Sequence, residues 1–312
     1  MKPVRIGSRG SMLAVWQAEH IAEQLGSLGI PSDIIYIKTS GDRFQQAGVN
    51  QIGVKGVFIK EIEDALLENR VDIAVHSMKD VPTEIPIGLA IAAICKREDP
   101  RDCLISPSGE TFAKLPPGAR VGTGSLRRQA QLRHARPDLT FMDLRGNVDT
   151  RLGKLDRGDF ETIVLAKAGL DRLNLSGRIT EVISDEICLP AVGQGAIGIE
   201  VRADDSDVLD AAHKLNDVAT NEAVTAERVL LRELEGGCQV PLGAWARRES
   251  SGLTMDACVV SPDGGEYIRK RGVGESAGGE QLGLKLAQEL MAAGAGRILK
   301  LVGRNVAGHT GN

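Results

Sequence analysis

The sequence predicts an α/β protein: two α/β domains, then a C-terminal α+β domain with a three-stranded antiparallel sheet. Three observations predict it. Over the first two-thirds, short apolar segments alternate with helical ones, as in parallel-rich sheets. A polar stretch at residues 96–102 interrupts the alternation, which then restarts. Beyond residue 240 the pattern becomes three β segments separated by Ser-Ser-Gly and Pro-Asp-Gly-Gly turns, an antiparallel meander.

The elements follow in order. Residues 4–7 read as a strand. Ser11 caps a helix whose apolar face is Ala14, Ala18, Ile21, Leu25 and Leu28. Residues 33–39 are β-branched and strand-like, and residues 57–68 form an amphipathic helix. Residues 71–75, apolar except for Asp72, read as a parallel strand buried on both faces. Residues 89–95 give a further strand. After the polar stretch come a strand at 120–123, a helix at 125–135, a strand at 139–144, a helix at 147–156 and a strand at 162–166. Residues 196–201 read as a strand that returns to the first domain, with a second hinge at 189–195. A helix at 221–234, strands at 240–248, 254–260 and 267–273, and a helix at 281–291 complete the chain. The expected domains are 1–95 with 196–214, 101–190, and 218–312. Residues 43–54 show no periodicity and are expected to be mobile, and residues 308–312 to fray.

With 312 residues, 42% hydrophobic and 26% charged, the chain has the composition of a globular protein. A net charge of −4 gives no bulk attraction to nucleic acid. No apolar stretch is long enough for a signal peptide or a membrane span, so a cytoplasmic protein is expected. Five cysteines without a CxxC or a Cys/His cluster speak against structural zinc and a disulfide framework, and no metal is expected. Four of them, Cys95, Cys103, Cys188 and Cys258, lie in or beside apolar runs. Cys238 instead follows Gly236-Gly237 and precedes Gln239-Val240-Pro241. That sequence suits either a tight turn holding a small apolar residue or a thiol presented on a loop.

Two strand-to-helix turns share a design: Gly7-Ser8-Arg9-Gly10-Ser11 and Gly122-Thr123-Gly124-Ser125-Leu126-Arg127-Arg128. Free backbone N–H groups at a helix start attract anions, and arginine adds a bidentate fork for carboxylate. Each turn could also be ordinary capping. Arg145 follows a strand and precedes Gly146-Asn147, and Arg151 lies four residues after Asn147 on the same helix face. Strand ends are where α/β sheets gather ligands. Arg133 and Arg136 are expected on the surface. His76-Ser77-Met78-Lys79-Asp80 ends the apolar strand, placing a lysine and a carboxylate at a cleft edge. His76 itself fits a satisfied strand-end histidine.

Taken together, seven segments resemble the porphobilinogen deaminase family: Lys55-Gly56-Val57-Phe58, the 72–82 segment DIAVHSMKDVP, Arg97-Glu98-Asp99-Pro100-Arg101-Asp102, the 122–128 turn, Leu144-Arg145-Gly146-Asn147-Val148, the 189–195 segment LPAVGQG, and Leu234-Glu235-Gly236-Gly237-Cys238. The resemblance implies two domains like halves of a periplasmic binding protein and a third carrying the cysteine loop. It implies a transferase of tetrapyrrole (haem- and chlorophyll-type) biosynthesis that joins four porphobilinogen molecules head to tail, releasing ammonia. It also implies a dipyrromethane cofactor joined to Cys238 by a thioether. A monomer without nucleic-acid or membrane partners is expected.

Family roles fall on matching positions. Asp80, with Lys79, would be catalytic, holding pyrrole N–H groups and stabilising the cation left as ammonia departs. Lys79, Asp80, Thr123, Ser125, Arg127, Arg128, Arg145 and Gly146 would hold the cofactor. Arg9, Ser11, Lys55, Phe58, Arg145, Asn147, Arg151, Arg172 and Gln194 would hold substrate. Two positions depart from the family pattern: Gln51 where lysine is frequent, and Gly124 where serine is frequent. The alternative from another class is a non-catalytic two-lobed anion-binding protein.

Overall fold

The computed structural model describes residues 2–39, 59–234, 240–250, 252–275 and 278–307, with backbone alone for 302–307. The chain divides into two compact units, residues 1–98 with 196–221 and residues 99–195 with 222–312.

The first unit is built on a five-stranded sheet in the order Ser32–Tyr36, Val4–Ser8, Ile73–Ser77, Ile197–Arg202, Leu89–Ile94. The first three strands are parallel, and Ile197–Arg202 runs antiparallel to both its neighbours. Alternation divides the sheet between two cores. Val4, Ile6, Ile73, Val75, Ile199 and Val201 pack with Ala18, Ile21 and Leu25 of the Met12–Ser27 helix and with Ala211 and Ala212. On the other side Ala74 and Leu89 meet Ile62, Ala65 and Leu66 of the Lys60–Leu67 helix. The apolar run at 71–75 is thus covered on both faces, as its composition predicts. The Met12–Ser27 helix departs from expectation at its end. Leu28 is exposed at the C-cap, whereas Gln17 is buried because its amide finds a partner inside.

The second unit repeats the plan in the order Thr140–Met142, Arg120–Gly122, Thr162–Ala166, Asp102–Ile105, Glu181–Val182. Asp102–Ile105 is again antiparallel to both neighbours. Leu104, Val121 and Val164 face one core, and Cys103, Ile105, Ile163 and Leu165 the other. The polar run read as a hinge through residue 102 ends one residue too late. Asp102 is buried and opens a strand.

The same unit holds the meander Leu242–Glu249, Gly252–Val260, Tyr267–Gly274. One face packs Leu242, Ala244, Met255 and Val259 on Ala226, Leu230, Leu282, Leu286 and Leu290 of two helices, Val218–Glu233 and Gly279–Ala292. On the other face Cys258 and Val260 meet Ala130 and Leu189. Helices at Lys167–Arg172, Ser206–His213 and Ala295–Ala307 add to those expected.

Candidate functional site

In the first unit two parallel strands end side by side, paired through Gly7 and Ala74. After the first strand come Arg9, half-buried, and Ser11, the N-cap of the Met12–Ser27 helix, whose hydroxyl accepts from Ala14 N at 3.4 Å. After the second, the chain tightens into one 3₁₀ turn, Met78–Asp80. Met78 is buried and anchors the turn, Lys79 is half-buried, and Asp80 is exposed. Gln17 Nε2 donates to Ser77 Oγ at 2.8 Å, so the helix from one strand end steadies the other. His76 Nε2 lies 2.9 Å from Glu200 Oε2 with both side chains buried, which satisfies the histidine inside the sheet.

In the second unit Ser125 caps the Leu126–Ala135 helix, accepting from Arg128 N at 3.5 Å, and Thr123 Oγ1 accepts from Ser125 N at 3.3 Å. Gly124 fits here for a steric reason. A Cβ would stand 2.8 Å from Leu144 O and 3.1 Å from Asp143 Oδ1, so glycine lets two strand ends close together.

Arg127 and Arg128 turn inward onto Asp102. Arg127 Nη1 donates to Asp102 Oδ2 at 2.7 Å and to Leu189 O at 2.6 Å. Arg128 Nε and Nη2 donate to Asp102 Oδ1 at 3.0 and 2.8 Å, and its Nη1 to Val164 O at 3.1 Å. Gln194 Nε2 reaches the same Oδ1 at 2.8 Å and Pro100 O at 2.6 Å. Burial alone would raise the Asp102 pKa; the two guanidiniums outweigh it and hold the carboxyl well below the usual range. Two buried cations share one buried carboxylate, and Arg127 Nε is buried with no acceptor among the described residues. Among the described residues such a cluster lacks one acceptor, and its two guanidiniums share a single carboxylate.

The next strand end carries Arg145, exposed and bonded through Nε to Asp143 Oδ2 at 2.9 Å. Gly146 has φ of 117°, a conformation suited to glycine, and a Cβ there would lie 2.7 Å from the Thr150 methyl. Asn147 caps the Val148–Asp156 helix without a side-chain cap bond, and Arg151 Nε closes back onto Gly146 O at 2.6 Å. Arg172 is buried and donates to Gly195 O at 2.8 Å. Thus Arg127, Arg128 and Gln194 meet through Asp102, while Arg145, Gly146, Asn147 and Arg151 form one corner. Cys238, Lys55, Phe58 and Gln51 lie outside the described residues.

Asp102 is the residue that sequence reasoning missed, since its partners lie 25, 26 and 92 positions away. Arg133 and Arg136 are corrected from surface to half-buried clamps. Arg133 donates to Pro262 O and sits 5.2 Å from the Phe141 ring centre, and Arg136 donates to the carbonyls of Phe112, Ala113 and Leu115. Cys95, Cys103, Cys188 and Cys258 are buried, as their apolar neighbours predict. Burial pushes the Cys103 thiol up to about 12 and Cys258 up to about 11.

Among the described residues no helix is long and apolar enough to cross a membrane, and no group of His, Cys, Asp or Glu suits a metal ion.

Comparison with known proteins bears on this arrangement. The family profile "Porphobilinogen deaminase, dipyromethane cofactor binding domain" matches residues 4–210. The profile of the porphobilinogen deaminase C-terminal domain matches residues 221–292. A porphobilinogen deaminase of Syntrophotalea carbinolica is 50% identical over 95% of this chain and 95% of its own. One from Moorella thermoacetica is 50% identical over 97% of each. Among solved structures, a periplasmic substrate-binding protein of Coxiella burnetii covers 68% of this chain and 91% of its own, at 15% identity and a TM-score of 0.39, too distant to bear on function. The chain belongs to the porphobilinogen deaminase family.

Proposed function

We infer that this chain is a hydroxymethylbilane synthase: it condenses four porphobilinogen molecules head to tail, losing ammonia at each step, and releases the linear product. The observation that carries the reading is identity of 50% across almost the whole of both chains with a porphobilinogen deaminase. A non-catalytic anion-binding protein is not favoured, because the relatives at that identity are deaminases.

The cofactor is a dipyrromethane, which supplies the pyrrole end to which substrate units are added. Its acidic side chains suit the Asp102 cluster, where Arg127 Nε has no acceptor among the described residues and two guanidiniums share one carboxylate. Lys79, Asp80, Thr123, Ser125, Arg127, Arg128, Arg145 and Gly146 would hold it. Arg9, Ser11, Lys55, Phe58, Asn147, Arg151, Arg172 and Gln194, with Arg145, would hold the substrate. Asp80 would face pyrrole N–H groups and stabilise the positive charge that develops as ammonia leaves, and Lys79 would bind a carboxylate beside it.

The tether would be a thioether to Cys238. Two facts support it. The Cys238 thiol follows two glycines, and burial holds Cys103, Cys188 and Cys258 in the protonated, unreactive form. We further propose a cytoplasmic monomer whose residues 218–312 act as a third domain.

Intact mass measurement of the purified protein tests the reading. The wild type should carry an adduct of two pyrrole units, and Cys238→Ser should lose both adduct and turnover. Normal turnover in that variant overturns the tether.

A further inference from the structure

We propose that Asp102 is a positioning residue for the cofactor site, its Oδ2 fixing the guanidinium of Arg127 toward a pyrrole carboxylate. The proposal rests on the cofactor reading above. The two oxygens of Asp102 divide the work. Oδ1 gathers Arg128 Nε, Arg128 Nη2 and Gln194 Nε2, all within 3.0 Å. Oδ2 takes Arg127 Nη1 at 2.7 Å, with Cys188 Sγ at 3.5 Å. Arg127 Nη1 is therefore pinned between Asp102, Leu189 O and the Cys188 sulfur at 3.3 Å. With that nitrogen fixed, the plane of the guanidinium is fixed too, and Nε is left as a donor without an acceptor among the described residues.

The division predicts what a neutral isostere does. Asn has one acceptor oxygen and one donor NH₂. Three donors converge on the Oδ1 position, so the amide oxygen of Asp102→Asn belongs there. Its NH₂ then faces Arg127 Nη1, donor against donor. Arg128 and Gln194 keep an acceptor, while Arg127 loses its pin.

The test is a double-mutant cycle between Asp102→Asn and Arg127→Leu. Its readouts are the rate at which apoprotein acquires the two-pyrrole adduct from porphobilinogen, followed by intact mass, and far-ultraviolet circular dichroism for folding. Each single variant should load about tenfold more slowly or worse, the scale of one lost charged hydrogen bond. The double variant should be no slower than the slower single, because Asp102 acts through Arg127. Asp102→Glu keeps both oxygens one methylene further out. It should load faster than Asp102→Asn, and it carries the same cycle if the Asn variant does not fold. Losses that multiply in the double variant, or wild-type loading in Asp102→Asn, overturn the proposal while leaving the cofactor reading intact. A wild type that never acquires the adduct overturns the cofactor reading itself.

Discussion

In the first unit the antiparallel strand of the sheet is Ile197–Arg202 and its buried acid is Glu200; in the second it is Asp102–Ile105 and the acid is Asp102. Strand order and direction are otherwise the same in the two sheets. The charge around the acids is not. Glu200 meets one imidazole, that of His76, and its Oε1 has no partner among the described residues. Nearby, burial and then the charge of Glu200 push the Glu63 carboxyl up. Asp102 meets two guanidiniums that cannot lose their protons. One backbone plan therefore buries an acid beside a histidine in one unit and an acid between two guanidiniums in the other. The guanidinium pair suits holding carboxylates. The first sheet ends in Lys79, a cation suited to a carboxylate, and in an exposed Asp80, an anion suited to steadying a cation.

The widest gap should appear in stability. Asp102→Ala leaves two buried guanidiniums without a counter-charge and should cost about 3–5 kcal/mol. Glu200→Gln keeps a hydrogen-bonding partner of nearly the same shape for His76, and should cost about 1 kcal/mol. Urea unfolding of both variants at pH 7 measures the gap. Equal losses would show that the guanidiniums around Asp102 set it no further apart than His76 sets Glu200.

Activity should divide in the same way. Asp80→Asn keeps shape and removes charge, and should slow single-turnover ammonia release by about 10²–10³-fold. Asp80→Glu should retain more activity than Asn, with both variants folded. If Asn matched the wild type, Asp80 would be a turn cap and the division of labour would fail.

A smaller, pH-dependent effect sharpens the contrast inside the first unit. Burial works to raise the Asp72 pKa, but hydrogen bonds from Arg5 and Arg202 bring it down to about 2 from an ordinary 3.8. A depressed folded pKa means that the stabilisation is present above the unfolded value and is lost as pH falls through the folded one. Arg5 is partly exposed, so the net contribution is modest, about 1 kcal/mol. Asp72→Asn should lose that much at pH 7, and the deficit should close between pH 3.8 and about 2. A deficit unchanged at the acid end would show that shape, not charge, matters at Asp72.

Much of the fold was legible because its signals are local. Apolar runs at 71–75 and 162–166, the Ser11 and Ser125 caps and the turns of the meander each lie within a few residues. The charge pairs were not. Asp102 sits in a run of acids and bases that reads as solvated linker, and only three apolar residues follow it. Its meaning depends on arginines brought together by folding, as that of His76 depends on Glu200, 124 positions away. Gln17 is buried for the same reason: a buried amide is tolerated where Ser77 waits for it.

The strand Ile197–Arg202 sets a timetable for the newborn chain. It seats between Ile73–Ser77 and Leu89–Ile94, yet it is made only after every strand of the second sheet. At roughly 5–20 residues per second, the first sheet waits on the order of 5–20 s with two strand edges unpaired. The later-made sheet is therefore complete first, and the beginning of the protein folds around its own middle.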